Sequence, residues 1–388
     1  MKIVTIVGAR PQIIKAAALS REIQNHFNDE IKEFIIHTGQ HYDDNMSEVF
    51  FRELSIPAPN VNLNIGSSSH GEQTGRMMEG IEKVLTENKP DALVIYGDTN
   101  STLAGAVAAA KMHIPVFHIE AGLRSFNKKM PEEINRIVAD HCSTLMFCPT
   151  KTAIQNLENE GFPAGLMSPY SMDKPGVFHA GDIMFDNSVF FAQIAEKQSK
   201  IIEDQNLKDI PFILATVHRN DNTDNEDRLR MIFDALCLAS INTKLPVVFP
   251  LHPRTKKMMD AWNIGSNIPA GADVRIIPPA SFLDMILLEK NCRLVLTDSG
   301  GVQKEAYFFS RPSIILRPET EWVEIVDLRA AKLADHSAPE IAAQAEAMIN
   351  YPPTEFPPVF GDGHAAEFIC EKMLEFYQSL LRKNAIKK

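Results

Sequence analysis

The feature that most narrows the fold is a recurring one: a short apolar, mostly β-branched run that stops abruptly at polar or glycine-bearing residues. Such runs occupy residues 3–7, 33–37, 92–96, 115–119 and 145–148, and again 212–217, 246–250, 274–277, 294–297 and 313–316. Between them lie stretches such as 12–24, 73–88 and 227–238, whose apolar residues recur at helical spacing. Strands that are apolar along their whole length and separated by helices predict parallel sheets covered on both faces.

A chain of 388 residues accommodates two such domains. The two sets of strands are joined by the polar, Pro- and Gly-bearing segment 161–181. The expectation is therefore an α/β protein of two doubly wound, Rossmann-like domains facing a central cleft. The first spans residues 1–170 and the second 171–365, followed by a closing helix within 366–388. Lys and Arg number 39 against 50 Asp and Glu, a net charge of −11 that disfavours nucleic acid and anionic membranes as partners. The opening MKIVTIVGARP is too short in apolar residues for a signal-peptide core, and no stretch reaches the roughly 18 that a membrane span requires. Five cysteines form no CxxC pair. They read as buried apolar residues in a reducing, cytoplasmic setting.

In open α/β sheets ligands gather at the carboxyl ends of the strands, so the residues just past each run should carry the chemistry. Gly8-Ala9-Arg10-Pro11 opens a helix that carries Lys15. Glycine permits the tight turn, Pro11 suits a first helical turn, and two cations sit where backbone N–H groups already favour an anion. The strand before Asp298-Ser299-Gly300-Gly301 likewise runs straight into a helix. Its glycines leave N–H donors open to a diphosphate, and Glu305 follows where it could accept from a ribose hydroxyl. Neither stretch is a GxGxxG or a Walker loop. The plain alternative is a pair of capped strand-to-helix turns with solvated cations.

Asp98 and Glu120 each lie just past a strand, and Glu132 opens a helix in Met130-Pro131-Glu132-Glu133. Carboxylates gathered in a partly dry site raise one another's proton affinity, which suits acid/base work. Capping is the structural alternative for Glu132 or Glu133. His218 also follows a strand. No HExxH, no close His/Cys set and no GxSxG elbow occurs, so neither a metal nor a serine nucleophile is expected.

The ordered motifs GARPQIIK (8–15), TGQH (38–41), YGDTNST (96–102), HIEAGLRS (118–125), MPEEINR (130–136), TVHRND (216–221), TDSGGVQKEA (297–306) and LRPETEW (316–322) cover nearly the whole chain. In them the chain resembles the non-hydrolysing UDP-N-acetylglucosamine 2-epimerases. The resemblance implies the two-domain fold of many nucleotide-sugar glycosyltransferases (GT-B) and epimerisation at C2 of a UDP-2-acetamido sugar, with no cofactor and no metal. It also implies a homodimer and a place in making surface-polysaccharide precursors. In this family UDP is eliminated across C1–C2 to a 2-acetamidoglucal and then added back. By resemblance Asp98, Glu120 and Glu132 are the acid/base set, and His218, Arg10 and Lys15 stabilise the departing UDP. Ser299, Gly300 and Gly301 hold phosphate, Glu305 the ribose, and Arg136 and Arg317 the sugar or diphosphate.

Some positions depart from that pattern. Members acting on plain UDP-GlcNAc commonly carry glutamate where this chain has Gln12. Uracil-side positions that are often Gln and Phe fall on Ala280 and Met285, with Phe282 near by. GARPQ, SHGEQTGR and RPETEW are more similar to the branch acting on UDP-2,3-diacetamido-2,3-dideoxy-glucuronate.

Overall fold

The computed structural model describes residues 1–39 and 57–386, so Gln40 and His41 of the TGQH motif lie outside the described residues. The chain divides into two compact units, Met1–Asn187 with Val359–Lys388, and Ser188–Pro358.

The first unit holds a seven-stranded sheet of β1 (Lys2–Val7), β2 (Lys32–His37), β3 (Val61–Asn62), β4 (Ala92–Tyr96), β5 (Val116–Ile119), β6 (Leu145–Cys148) and β7 (Gly176–His179). Their order is β3-β2-β1-β4-β5-β6-β7, and every pairing is parallel. The second unit orders β8 (Ile213–Thr216), β9 (Val247–Pro250), β10 (Val274–Ile277), β11 (Leu294–Thr297), β12 (Ser313–Ile315) and β13 (Ala331–Leu333) as β10-β9-β8-β11-β12-β13, also parallel. Both sheets are doubly wound. Each reverses its strand order once, between β1 and β4 and between β8 and β11.

Burial explains why the strands lack polar alternation. In the second unit Ile213 and Ala215 pack with Leu229, Ile232 and Ile341 on one face, while Leu214 and Val295 pack with Leu288 and Ala306 on the other. In the first, Val4, Ile6, Leu93 and Ile95 pack against Met77 and Ile81 and the small residues Ala104 and Ala108. Among the described residues no helix is long and apolar enough to cross a membrane.

These contact-defined units divide at 187/188 and 358/359, whereas the sequence pattern divides the chain at 170/171 and 365/366. Segment 161–181, expected as a linker, contains β7, which pairs with β6 from Leu145↔Gly176 to Cys148↔His179. The chain returns to the first unit before its last helix, Ala365–Ile386, which sets Phe376 edge-on against Phe117 of β5 at 5.3 Å. Asp186 holds that helix's start by accepting from Ala365 N at 3.2 Å and Ala366 N at 2.8 Å.

Candidate active site

The point where strand order reverses opens a crevice, because the connections on its two sides leave toward opposite faces. In the first unit the turns after β1 and β4 flank that point. Gly8 is required there by close approach: a Cβ would lie 2.0 Å from Ser101 Oγ and 2.3 Å from Thr38 Oγ1. Gln12, 2% exposed, accepts from Gly8 N at 2.9 Å and Ala9 N at 3.2 Å, and donates to Tyr96 O and Thr102 Oγ1, both at 2.9 Å. Arg10 opens the helix Arg10–His26 and is exposed. Lys15, one turn further on, is ion-paired with Glu120.

Glu120 holds its backbone in the left-handed region at φ 71°, uncommon for a side-chain-bearing residue. Its N–H donates to Phe147 O at 3.0 Å, which fixes the turn. Gly97 faces it at φ 60°, where a Cβ would come within 3.0 Å of Glu120 Oε2. Asp98 is ion-paired with Arg136, and its carbonyl accepts from Asn135 Nδ2 at 2.9 Å. The structure thus brings Lys15 to Glu120 and Arg136 to Asp98, each carboxylate with its own cation. Glu132 joins neither pair. It is exposed on the helix Pro131–His141, with no hydrogen bond or ion pair among the described residues.

A buried network beneath these turns was not read from the sequence. His118, fully buried, bonds Gly97 O at 2.8 Å through Nε2 and Asp140 Oδ1 at 2.7 Å through Nδ1. Asp140 also accepts from Gly122 N at 3.2 Å and pairs with Arg124 at 2.8 Å, which in turn pairs with Glu160 at 2.7 Å. Burial alone would raise the Asp140 carboxyl, but His118 and Arg124 hold it below its ordinary value. The HIEAGLR motif contained His118 and Arg124. Asp140 sits inside a helix and gives no local signal.

In the second unit the turns after β8 and β11 flank the reversal. Asp298, fully buried, accepts from His218 N at 3.1 and 3.0 Å, Arg219 N at 2.9 Å and Asn222 Nδ2 at 2.9 Å. His218 Nδ1 lies 3.4 Å from the same carboxylate, and the imidazole is 39% exposed. Its ring centroid is 5.4 Å from that of His252, whose imidazole is held below its usual range by burial and by His218. Ser299 caps the helix Gly300–Phe308, accepting from Val302 N at 3.4 Å. A Cβ on Gly301 would lie 3.8 Å from Ser299 Oγ and 3.9 Å from Glu305 Oε2, so Glu305 points back toward the turn.

Arg317 pairs with Glu321 at 3.0 Å, and Arg219 reaches the same carboxylate at 3.6 Å. Burial alone would raise Glu321, but hydrogen bonding and these two cations bring it below its ordinary value. Arg317 and Glu321 lie in the non-helical connection between β12 and the helix Val323–Asp327, so their spacing alone does not signal the pair. Met285 packs against the core beside Leu288 and Val302. Among the described residues no group of three or more His, Cys, Asp or Glu is placed to hold a metal ion.

A family model described as UDP-N-acetylglucosamine 2-epimerase matches residues 22–374. A UDP-N-acetylglucosamine 2-epimerase homolog of Methanococcus maripaludis is 50% identical over 327 residues, 84% of this chain and 86% of that protein. The UDP-2,3-diacetamido-2,3-dideoxy-D-glucuronate 2-epimerase of Pseudomonas aeruginosa is 46% identical over 371 residues, 96% of this chain and 99% of that protein. The crystal structure of the Methanocaldococcus jannaschii UDP-GlcNAc 2-epimerase, in complex with UDP-GlcNAc and UDP, is 40% identical. It covers 96% of this chain and 99% of its own, with a TM-score of 0.79.

Proposed function

This chain belongs to the UDP-N-acetylglucosamine 2-epimerase family, a family of carbohydrate isomerases, and from that premise we propose that it interconverts UDP-GlcNAc and UDP-ManNAc without hydrolysis. The observation that carries the reading is the pairing of each strand-end carboxylate with its own cation, Glu120 with Lys15 and Asp98 with Arg136.

The C2 proton of the sugar is not acidic, so direct abstraction is slow. Elimination avoids that barrier. A base takes the C2 proton, C1=C2 forms, and the C1–O bond breaks with its electron pair leaving on UDP. The return step adds the UDP oxygen to C1 while an acid on the opposite face delivers a proton to C2. Two groups that exchange acid and base roles are needed, and Asp98, Glu120 and Glu132 are the carboxylates assigned to them. Glu132 is exposed and without a cation of its own among the described residues. Arg10, Lys15 and His218 offset charge on the leaving diphosphate, and preorganised cations of this kind supply several kcal/mol. Ser299, Gly300 and Gly301 hold phosphate through the helix N-terminus. Glu305 takes the ribose, Met285 lies on the uracil side, and Arg136 and Arg317 serve the sugar or diphosphate.

A second reading is favoured by the P. aeruginosa relative and by Gln12. In it the same chemistry acts on UDP-2,3-diacetamido-2,3-dideoxy-glucuronate. Incubating the pure protein with each UDP-sugar separately, with no acceptor, separates the two readings. Conversion of UDP-GlcNAc with the higher kcat/KM supports the first; conversion of the glucuronate alone establishes the second. Free sugar plus UDP as the only product would reject both.

A further inference from the structure

We infer that Glu133 is a positioning residue that works through Arg136 to set the carboxylate of Asp98; the inference rests on the acid/base reading of Asp98. Glu133 stands beside Glu132 on the helix Pro131–His141, but the two differ in surroundings. Glu132 is exposed, whereas Glu133 is 1% exposed. A carboxylate buried to that degree is costly unless it is fully hydrogen-bonded. Glu133 meets that requirement with donors from outside its own first turn. Oε2 accepts from Ser125 N and from Arg136 Nη1, and Oε1 from Phe126 N, all at 2.9 Å. Burial would raise this carboxyl, but those donors bring it below its ordinary value.

The other arm of Arg136 donates to Asp98 Oδ2. A guanidinium is a planar, rigid fork, so fixing one arm fixes the direction of the other. Arg136 Nε is buried with no hydrogen-bond partner among the described residues, so the fork is committed to its two carboxylates at the expense of that nitrogen. Burial works against the Arg136 charge, yet Asp98 and Glu133 raise its proton affinity above the ordinary value. The preceding residue, Asn135, holds the Asp98 carbonyl. Two consecutive helix residues therefore grip Asp98 by main chain and side chain, and Glu133 anchors the side-chain grip. The same carboxylate fixes Phe126, at φ 57°, in the connection that follows Glu120. Helix capping does not explain these contacts, because Ser125 and Phe126 precede the helix.

The test is a double-mutant cycle of E133Q, R136M and E133Q/R136M, with D98N beside it, read as kcat, KM and UDP affinity. E133Q is expected to lower kcat about 100-fold, the loss that a misplacement near 1 Å produces. The double variant is expected to be no slower than R136M alone, because one path carries both effects. If the two losses multiply, or if E133Q keeps kcat within about threefold of wild type, the inference is overturned. Should E133Q not fold, E133D carries the test: it keeps the charge but draws it back by one methylene, and an unchanged kcat overturns the inference. Near-wild-type turnover by D98N would instead overturn the acid/base reading of Asp98, whatever the cycle shows.

Discussion

Gln12 Nε2 donates to the carbonyl oxygen of Tyr96 at 2.9 Å, and this bond ties the helix that carries Lys15 to the turn that carries Asp98. It crosses the sheet where strand order reverses from β1 to β4. With Oε1 accepting from Gly8 N and Ala9 N, the amide is satisfied on both sides, and a buried, satisfied polar group of this kind specifies one geometry. Asp298 does the equivalent work at the second reversal, drawing the His218 and Arg219 main chain onto the turn after β11.

Substituting Gln12→Met keeps the length of the side chain and removes its hydrogen bonds. Buried N–H groups of Gly8 and Ala9 lose their acceptor, at a cost of about 1–3 kcal/mol each where no water replaces it. A fall in the urea midpoint together with a loss of turnover is expected. Turnover preserved at a lowered midpoint would show that the clamp is structural only.

Asp98→Asn and Glu132→Gln should each abolish turnover while leaving UDP affinity close to wild type, since neither is assigned to the nucleotide. Steady-state rates and calorimetric titration with UDP check this. Near-wild-type turnover by either variant removes that residue from the acid/base set.

Asp298→Asn replaces an acceptor of several N–H donors with an amide that must present an NH₂ to some of them. The His218 turn should loosen, and UDP affinity is expected to fall at least about tenfold, the loss of one charge-assisted hydrogen bond. Unchanged affinity would mean that the turn keeps its shape without the carboxylate.

Burial pushes the Asp186 carboxyl up to about 6 from 3.8, against the opposing pull of Ala366 N and Ala365 N. The folded chain therefore holds this proton more tightly than the unfolded chain. Below about pH 4 both states are protonated and the group makes no difference. As pH rises through 6 its ionisation costs the folded state at most about 3 kcal/mol. Asp186→Asn does not titrate, so the stability of the variant relative to wild type should climb between pH 4 and pH 7. A difference that stays flat across that range would contradict the account.

The turns were legible in the sequence because each follows a strand buried on both faces, where glycine, proline and charge break an otherwise apolar run. Strands β3, β7 and β13 escaped notice for a related reason. Val61–Asn62 is too short to form a pattern, and Gly176–His179 and Ala331–Leu333 carry glycine or lysine in place of a β-branched run. The chain's return to the first unit before Ala365–Ile386 gives no local pattern, because it depends on tertiary contacts such as Phe376 on Phe117. The supporting layer was the least legible part. Gln12, Asn135 and Asp140 lie within helices, and Tyr96, Asp98 and His118, which they hold, are distant in sequence; Glu133 has its partners close by, with Arg136 at i,i+3, but only the fold shows that the same guanidinium reaches Asp98.

The central claim is elimination and re-addition at C2, and the most direct measurement follows both bonds at once. UDP-GlcNAc carrying ¹⁸O at the bridging C1–O–P position is incubated with the protein in D₂O and followed by proton and phosphorus NMR. The account predicts deuterium at C2 of both epimers and migration of the label to the non-bridging β-phosphate oxygens, because UDP is set free before it returns. Epimerisation with no deuterium at C2 and the label still bridging would contradict it, since neither the C2–H bond nor the C1–O bond would show exchange.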